Sequence, residues 1–285
     1  QIAVLNQDYR RLNSDTNQTP TAFKTIAADC EIEFCLATID PSGNATTGIV
    51  RKTGSNSPTS SDLWNTAQYL NLLVYSIGGG TLGFTYLPSQ SPNNGVHIGY
   101  QYFGITGADP TYNKGRTSSH EIGHWFNLEH IWADESACNS DDGVSDTPQQ
   151  KAENYGCPSY PQTTQSGGRC STSDPSSMFM NYMDYTDDAC MNIFSAGQKA
   201  RMIAAINQYR SGLLNNGKCG AGTPTDDAGI ASITEPSGNI CSSSISPVVI
   251  LKNFGTQPLL TCTISYKIDS NTPGTYTWSG NLATN

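Results

Sequence analysis

Ile2, Leu5, Tyr9 and Leu12 recur at intervals of three and four residues, which predicts an N-terminal helix over 2–12 with one apolar face. The pattern then changes to alternation. "EIEFCLATI" (31–39), "LNLLVYSI" (70–77), "LGFTYLP" (82–88) and "GVHIGYQYF" (95–103) each read as a strand, with turn-rich stretches such as "SGNATTG" and "SQSPNNG" between them. His97 lies inside the last run and is read as a sheet residue. Helical spacing returns in "SSHEIGHWFN" and again in "SAGQKARMIAAINQYRSGLL". In the second, Ser195 and Gln198 form a capping-box pattern, and Met202, Ile203, Ile206 and Leu213 form an apolar face. That helix reads as core scaffold. The stretch 131–194 has little periodicity and many Gly, Ser, Asp and Pro residues.

Composition changes at "NNGKCGAGTPTDD" (215–227), which reads as a linker. Beyond it, "IASIT", "PVVILKNF", "LLTCTISYKI" and "GTYTWSG" alternate like strands, suggesting an all-β, Ig-like module over 228–285. At roughly 60 residues the module is short for that fold, which leaves room for truncation. The organisation expected is a mixed α/β (α+β) domain over 1–214, a linker, and this β module.

Charge narrows the function. The chain of 285 residues carries a net charge of −9 with only 15 Lys and Arg, and no cluster of these to neutralise phosphates, so nucleic acid is excluded as a partner. An acidic field favours calcium and basic peptides instead. No apolar run reaches the length of a membrane span. Position 1 is Gln and no secretion signal is present, so the chain reads as a processed or trimmed form.

Nine cysteines suit an oxidising, extracellular setting. Cys138, Cys157, Cys170 and Cys190 punctuate the irregular stretch and are expected to form two disulfides, with three connectivities open. Cys30 and Cys35 would sit about 16 Å apart if their segment is a strand, too far to bond each other. Cys241 and Cys262 are the candidate pair of the β module, and Cys219 has no evident partner. Asn17 and Asn44 lie in glycosylation sequons.

Three of the four histidines fall within eleven residues. On a helix, His120 and His124 share one face, the spacing that offers two imidazoles to one zinc ion. Glu121, about 100° further round, lies beside that point and suits a base acting on a metal-bound water. His130 joins the pair only if the helix ends in between, and Asn127 is the residue most able to take the left-handed conformation needed there. Three imidazoles leave a fourth position open, the arrangement of a catalytic site rather than a structural one.

The pattern HExxHxxxxxH resembles the zinc signature of the metzincin metalloproteases, with Asn127 at the family's Gly position. Downstream, "NYMDYTDDAC" resembles the Met-turn of the pappalysin-like branch, with Tyr185 two residues after Met183. The likeness extends over about 2–214, through "EIEFCLA", "LGFTYLP" and "DGVSDTP". It implies a metzincin-like fold: a twisted mixed sheet and zinc-binding helix in an upper part (about 1–127), and an irregular lower part (about 128–214). It also implies that Met183 floors the zinc site and that Tyr185 stands near the metal. Asp188 would form the bottom of a pocket for a basic residue following the scissile bond, with Asp187 as the neighbour able to exchange roles. The edge strand around Gly83, Phe84 and Thr85 would bind extended substrate through its main chain. Calcium would be held by Asp142, Thr147 and a carbonyl near Ser145, and the disulfides would be Cys138–Cys170 and Cys157–Cys190.

The function expected is thus a secreted zinc endopeptidase cutting before Arg or Lys, with Glu121 assisting attack by water. An inhibitory propeptide would precede residue 1. The rivals are an inactive extracellular binding or adhesive protein with a zinc-stabilised protease fold, and a hydrolase of non-peptide bonds at the same metal. The natural substrate and the oligomeric state leave no trace in the residues.

Overall fold

The computed structural model describes the chain except for residues 54–56, 92, 106–108, 136–137, 165, 215, 220–227, 237–245, 254–256, 268–273 and 284–285. It divides into two compact units, Gln1–Cys219 and Gly220–Asn285.

The first unit opens with α1 (Ile2–Tyr9), whose Leu5 and Tyr9 are fully buried. The helix stops earlier than the periodicity predicts. Arg11 adopts a left-handed φ of 50°, and Leu12, expected on the apolar face, is 71% exposed. Tyr9 anchors the helix among Phe34 and Phe194, with ring centroids 5.0 and 4.8 Å away, and its hydroxyl donates to the Ser119 carbonyl at 3.0 Å.

Residues 31–39 do not form the expected strand. Glu31 is left-handed (φ 57°), and the Asn6 side chain takes up both polar groups of Phe34, accepting from its N–H at 2.7 Å and donating to its carbonyl at 3.0 Å. The alternation there reflects one-sided burial, with a side chain supplying the bonds that a neighbouring strand would make.

Three short strands do form a mixed sheet. β1 (Leu72–Tyr75) runs parallel to the central β3 (Val96–Gly99), and β2 (Gly83–Phe84) pairs antiparallel on its other side. Val96 and Ile98 point into the core, while His97 faces away, stacked on Phe84 and 3.1 Å from the Tyr75 hydroxyl. On the core side lies α2 (Arg116–Trp125), followed much later by α3 (Ala196–Tyr209). Leu5, Ile98, Ile122, Leu128, Met183, Phe194 and Met202 belong to one continuous core cluster.

The irregular stretch contains no helix or named strand among its described residues. Covalent and polar bonds hold it instead. Cys138 is bonded to Cys170 and Cys157 to Cys190, each closing a loop of about 33 residues, which in the chain-entropy view stabilises by roughly 4 kcal/mol apiece. A third bridge, Cys35–Cys219, ties together segments 184 residues apart. Cys30 is a buried free thiol, pushed up to about 12 by its burial.

In the second unit, β4 (Ala228–Glu235) pairs with β5 (Val248–Asn253), and β6 (Leu259–Tyr266) with β7 (Gly274–Leu282), both antiparallel. The described strands form two separate antiparallel pairs, linked by the Asn253 side chain of β5, which donates to the Leu282 carbonyl of β7 at 3.0 Å; Ile233, Val248, Leu260 and Tyr276 are exposed. Cys262 carries a free thiol opposite Trp278; the expected Cys241–Cys262 bridge falls on Cys241, which lies outside the described residues. Among the described residues no helix is long and apolar enough to cross a membrane.

Candidate active site

The α2 helix presents His120 and His124 on one face and ends in a Schellman turn. The Asn127 N–H donates to the His124 carbonyl at 2.8 Å, the Leu128 N–H to the Gly123 carbonyl at 2.9 Å, and Asn127 is left-handed with φ 75°. The turn reverses the chain and brings His130 back. The three Nε2 atoms then lie 3.1 Å (His120–His124), 3.0 Å (His124–His130) and 3.2 Å (His120–His130) apart.

Each ring is oriented from behind. His120 Nδ1 lies 2.7 Å from the Tyr182 carbonyl, His124 Nδ1 2.7 Å from the Leu128 carbonyl, and His130 Nδ1 2.6 Å from Asp134 Oδ1. Carbonyl oxygens only accept, so Nδ1 of the first two holds the proton and Nε2 is a bare lone pair. Burial and the neighbouring rings push the protonation of His120 well down, and that of His124 down to about 3. Lone pairs converging in this way repel one another unless a cation lies between them. Tetrahedral zinc with Zn–N bonds of about 2.05 Å sets its ligand atoms roughly 3.3 Å apart, close to the spacing found, so the residues fit the metal. Among the described residues this is the one cluster of three or more His, Cys, Asp or Glu side chains able to hold an ion.

Glu121 is buried beside the triad, its carboxyl makes no protein hydrogen bond among the described residues, and desolvation pushes that carboxyl up to about 8. Gly83 of β2 sits over it, where a Cβ would come within 2.9 Å of Glu121 Cγ. β2 is an edge strand of the three-stranded sheet; Phe84 stacks on His97, and Thr85 Oγ1 donates to the Gly95 carbonyl at 3.0 Å.

Met183 lies against the helix at Gly123, where an added Cβ would meet its Sδ at 2.5 Å. The turn that carries it is pinned. Asn181 Oδ1 accepts from the Met183 N–H at 2.9 Å, and Asn181 is itself gripped by Gln198 of α3. Asp184 is fully buried and accepts from Gln150, Asn154 and the Tyr185 N–H; burial nevertheless pushes it up to about 6. The Tyr185 ring stands 4.8 Å from His130 and 5.6 Å from His120, with burial and then the Glu121 carboxylate raising its hydroxyl above the usual range.

Asp188 is 1% exposed. Its Oδ2 accepts from the Lys114 and Arg116 N–H groups at 2.7 and 3.3 Å, while its Oδ1 is buried without a partner. Burial raises its pKa. Arg116 Nη1 donates to the Asp188 carbonyl at 2.6 Å and the guanidinium spans the Asp15 carboxylate. At the calcium candidate, Thr147 Oγ1 lies 2.8 and 2.9 Å from the two oxygens of buried Asp142, which desolvation pushes up to about 7. Ser145 is exposed on the same turn.

Three residues around the triad escape sequence reasoning. Asp134 has a local signal in its position four residues beyond His130. Trp132 stacks on His130 with centroids 4.3 Å apart and planes at 9°. Arg201 of α3 has no local signal: it donates to the Asn127 carbonyl at 2.6 Å, the Asp142 carbonyl at 2.5 Å and Glu129 at 2.8 Å, clamping the turn between His124 and His130. The reading of α3 as scaffold alone is therefore incomplete.

The peptidase family described as pregnancy-associated plasma protein-A matches residues 53–207, more than half of the chain. The chain belongs to that family. An extracellular metalloprotease of Pyricularia oryzae is 32% identical over 222 residues, covering 74% of this chain and 67% of that protein. One from Uncinocarpus reesii is 40% identical over 151 residues, covering 50% of this chain and 51% of its own length. The chain thus spans about half the length of several curated relatives it matches. Among solved structures, mature mirolysin of Tannerella forsythia in complex with a cleaved peptide aligns with a TM-score of 0.71 at 40% identity, over 77% of this chain and 89% of that one. A promirolysin mutant from the same organism aligns at 0.67 and 41%, over 74% of this chain and 75% of that one. The family is one of metalloproteases with extracellular members, and the pappalysin-like metzincin resemblance holds.

Proposed function

We propose that this chain is a secreted zinc endopeptidase that cuts peptides on the N-terminal side of Arg or Lys. The observation that carries the reading is the convergence of three Nε2 atoms, within 3.0–3.2 Å of one another, beside a buried carboxyl with no bonding partner among the described residues. His120, His124 and His130 would hold the metal, which supplies a Lewis acid and lowers the pKa of water to about 7 when bound. Glu121 takes a proton from the attacking water and hands it to the leaving amine, a role suited to a carboxyl raised toward neutrality by its dry surroundings. Tyr185, ring-packed against His130, donates its hydroxyl hydrogen to the developing oxyanion. The free edge of β2, with Thr85 following it, binds the substrate main chain as an added strand.

The basic preference rests on Asp188. A buried carboxylate oxygen without a partner is costly unless a ligand completes it, and a guanidinium or ammonium group does so by charge-assisted hydrogen bonds. Calcium at Asp142, Ser145 and Thr147 belongs to the same proposal, supported by the buried, paired Asp142 and Thr147 oxygens. So do a catalytic unit ending near 214, a linker over 215–227 and, by analogy with the promirolysin form of that relative, a preceding inhibitory segment.

A peptide library incubated with and without a zinc chelator, with Glu121→Ala as the blank, tests the reading. Chelator-sensitive cuts before Arg or Lys, absent in the variant, are expected. Cuts before other residues reject the Asp188 pocket and keep the enzyme; no cutting by folded, zinc-loaded protein favours a binding protein.

A further inference from the structure

The three histidines differ in what stands behind them. His120 and His124 each donate Nδ1–H to a backbone carbonyl, Tyr182 and Leu128, both in the core. No side-chain substitution at those two acceptors removes the carbonyls. His130 lies beyond the helix, and its Nδ1 meets a side chain, Asp134 Oδ1, at 2.6 Å. The carboxylate is on the surface, with its side chain 70% exposed. The chain reaches that position by an unusual route: Ala133 and Asp134 are consecutive non-glycine residues in the left-handed region, with φ 54° and 56°. Such conformations persist where surrounding structure imposes them. Trp132 meanwhile covers one face of the His130 ring.

We propose that Asp134 is a positioning residue for His130, setting its tautomer and supplying, among the described residues, the one carboxylate hydrogen-bonded to the three rings. The proposal rests on the triad being the zinc site. Asp134 accepts the Nδ1 proton, so the lone pair of His130 sits on Nε2, facing the other two. Without that acceptor the ring can carry its proton on either nitrogen or turn over, and each departure removes one of three ligands. The carboxylate also offsets part of the charge of a divalent ion held by three neutral rings. Outer partners of this kind change metal affinity by about 10- to 100-fold.

The test measures zinc affinity of the full chain by competition with a chromophoric chelator, alongside the melting temperature of the metal-free protein and the visible spectrum of the cobalt form. Asp134→Gly, which removes the carboxylate and keeps the left-handed backbone without strain, is expected to bind zinc about 10- to 100-fold more weakly, with an altered cobalt spectrum and a metal-free melting temperature no lower than the parent's. Asp134→Asn, which keeps an acceptor oxygen and loses the charge, is expected to fall between the two. Glu135→Gln removes a neighbouring exposed charge with no bond to His130, and is expected to bind within twofold of the parent. An Asp134→Gly affinity within twofold of the parent overturns the proposal. So does an equal loss in Glu135→Gln, or a loss matched by a lower metal-free melting temperature. Failure of the parent chain to take up one zinc is a different result, which overturns the metal site itself.

Discussion

Gly123 lies inside the zinc-motif helix, and replacing a helical glycine by alanine ordinarily stabilises by about 1 kcal/mol. The structure predicts the opposite here. The alanine Cβ would lie 2.5 Å from Met183 Sδ, 3.3 Å from its Cε and 3.5 Å from Leu128 Cδ1. Comfortable carbon contacts lie near 3.5–4.0 Å, so Met183 must retreat by about 1 Å. It has nowhere to go, being fully buried with its N–H tied to Asn181 and its carbonyl 3.4 Å from the Ile131 N–H. Overpacking of this kind costs about 1–3 kcal/mol, so Gly123→Ala should be destabilised by up to about 2 kcal/mol after the helix gain is subtracted. Urea unfolding of metal-free Gly123→Ala, Met183→Ala and the double variant isolates the contact. In the Met183→Ala background the same alanine should be neutral or stabilising. Equal effects of Gly123→Ala in both backgrounds would refute the argument.

Arg201→Gln should weaken both stability and zinc retention, by about 1.5–3 kcal/mol for lost charged hydrogen bonds, because it releases the Asn127 carbonyl and Glu129 together; urea melts and chelator competition read the two effects. Asp188→Asn should erase discrimination for Arg or Lys after the cut while leaving cleavage itself, seen as a collapse of the kcat/KM ratio between basic and neutral peptides, and retention of that ratio would reject the pocket. Asp8 is buried against Ser119, Tyr182 and the Arg116 guanidinium, and desolvation outweighs these partners to push its carboxyl up to about 6. Its stabilising contribution is full below pH 3.8 and is lost as pH rises through about 6, on the order of 3 kcal/mol; Asp8→Asn should flatten that part of the stability–pH curve, and an unchanged slope would exclude Asp8 as its source.

Much of the site is legible along the chain because its geometry is local. Four-residue spacing places His120 and His124 on one face, Asn127 takes the left-handed conformation that ends the helix, and Ser195 with Gln198 caps α3 in both directions as the pattern predicts. Strand alternation is less reliable. It locates β1, β2 and β3 but overstates their lengths, and at 31–39 it marks a half-buried segment whose backbone is satisfied by Asn6.

By itself, the sequence determined the features set by neighbours a few residues apart: the histidine spacing, the reversing turn, the caps and the one-sided apolar faces. Tertiary structure alone decided the partners that come from afar. Cys35 meets Cys219, Gly123 makes room for Met183, and Arg201 reaches back 74 residues to the Asn127 carbonyl. Periodicity records which side of a segment is buried, because that depends on local backbone geometry. What buries it depends on how the whole chain closes, and no short window of residues contains that information.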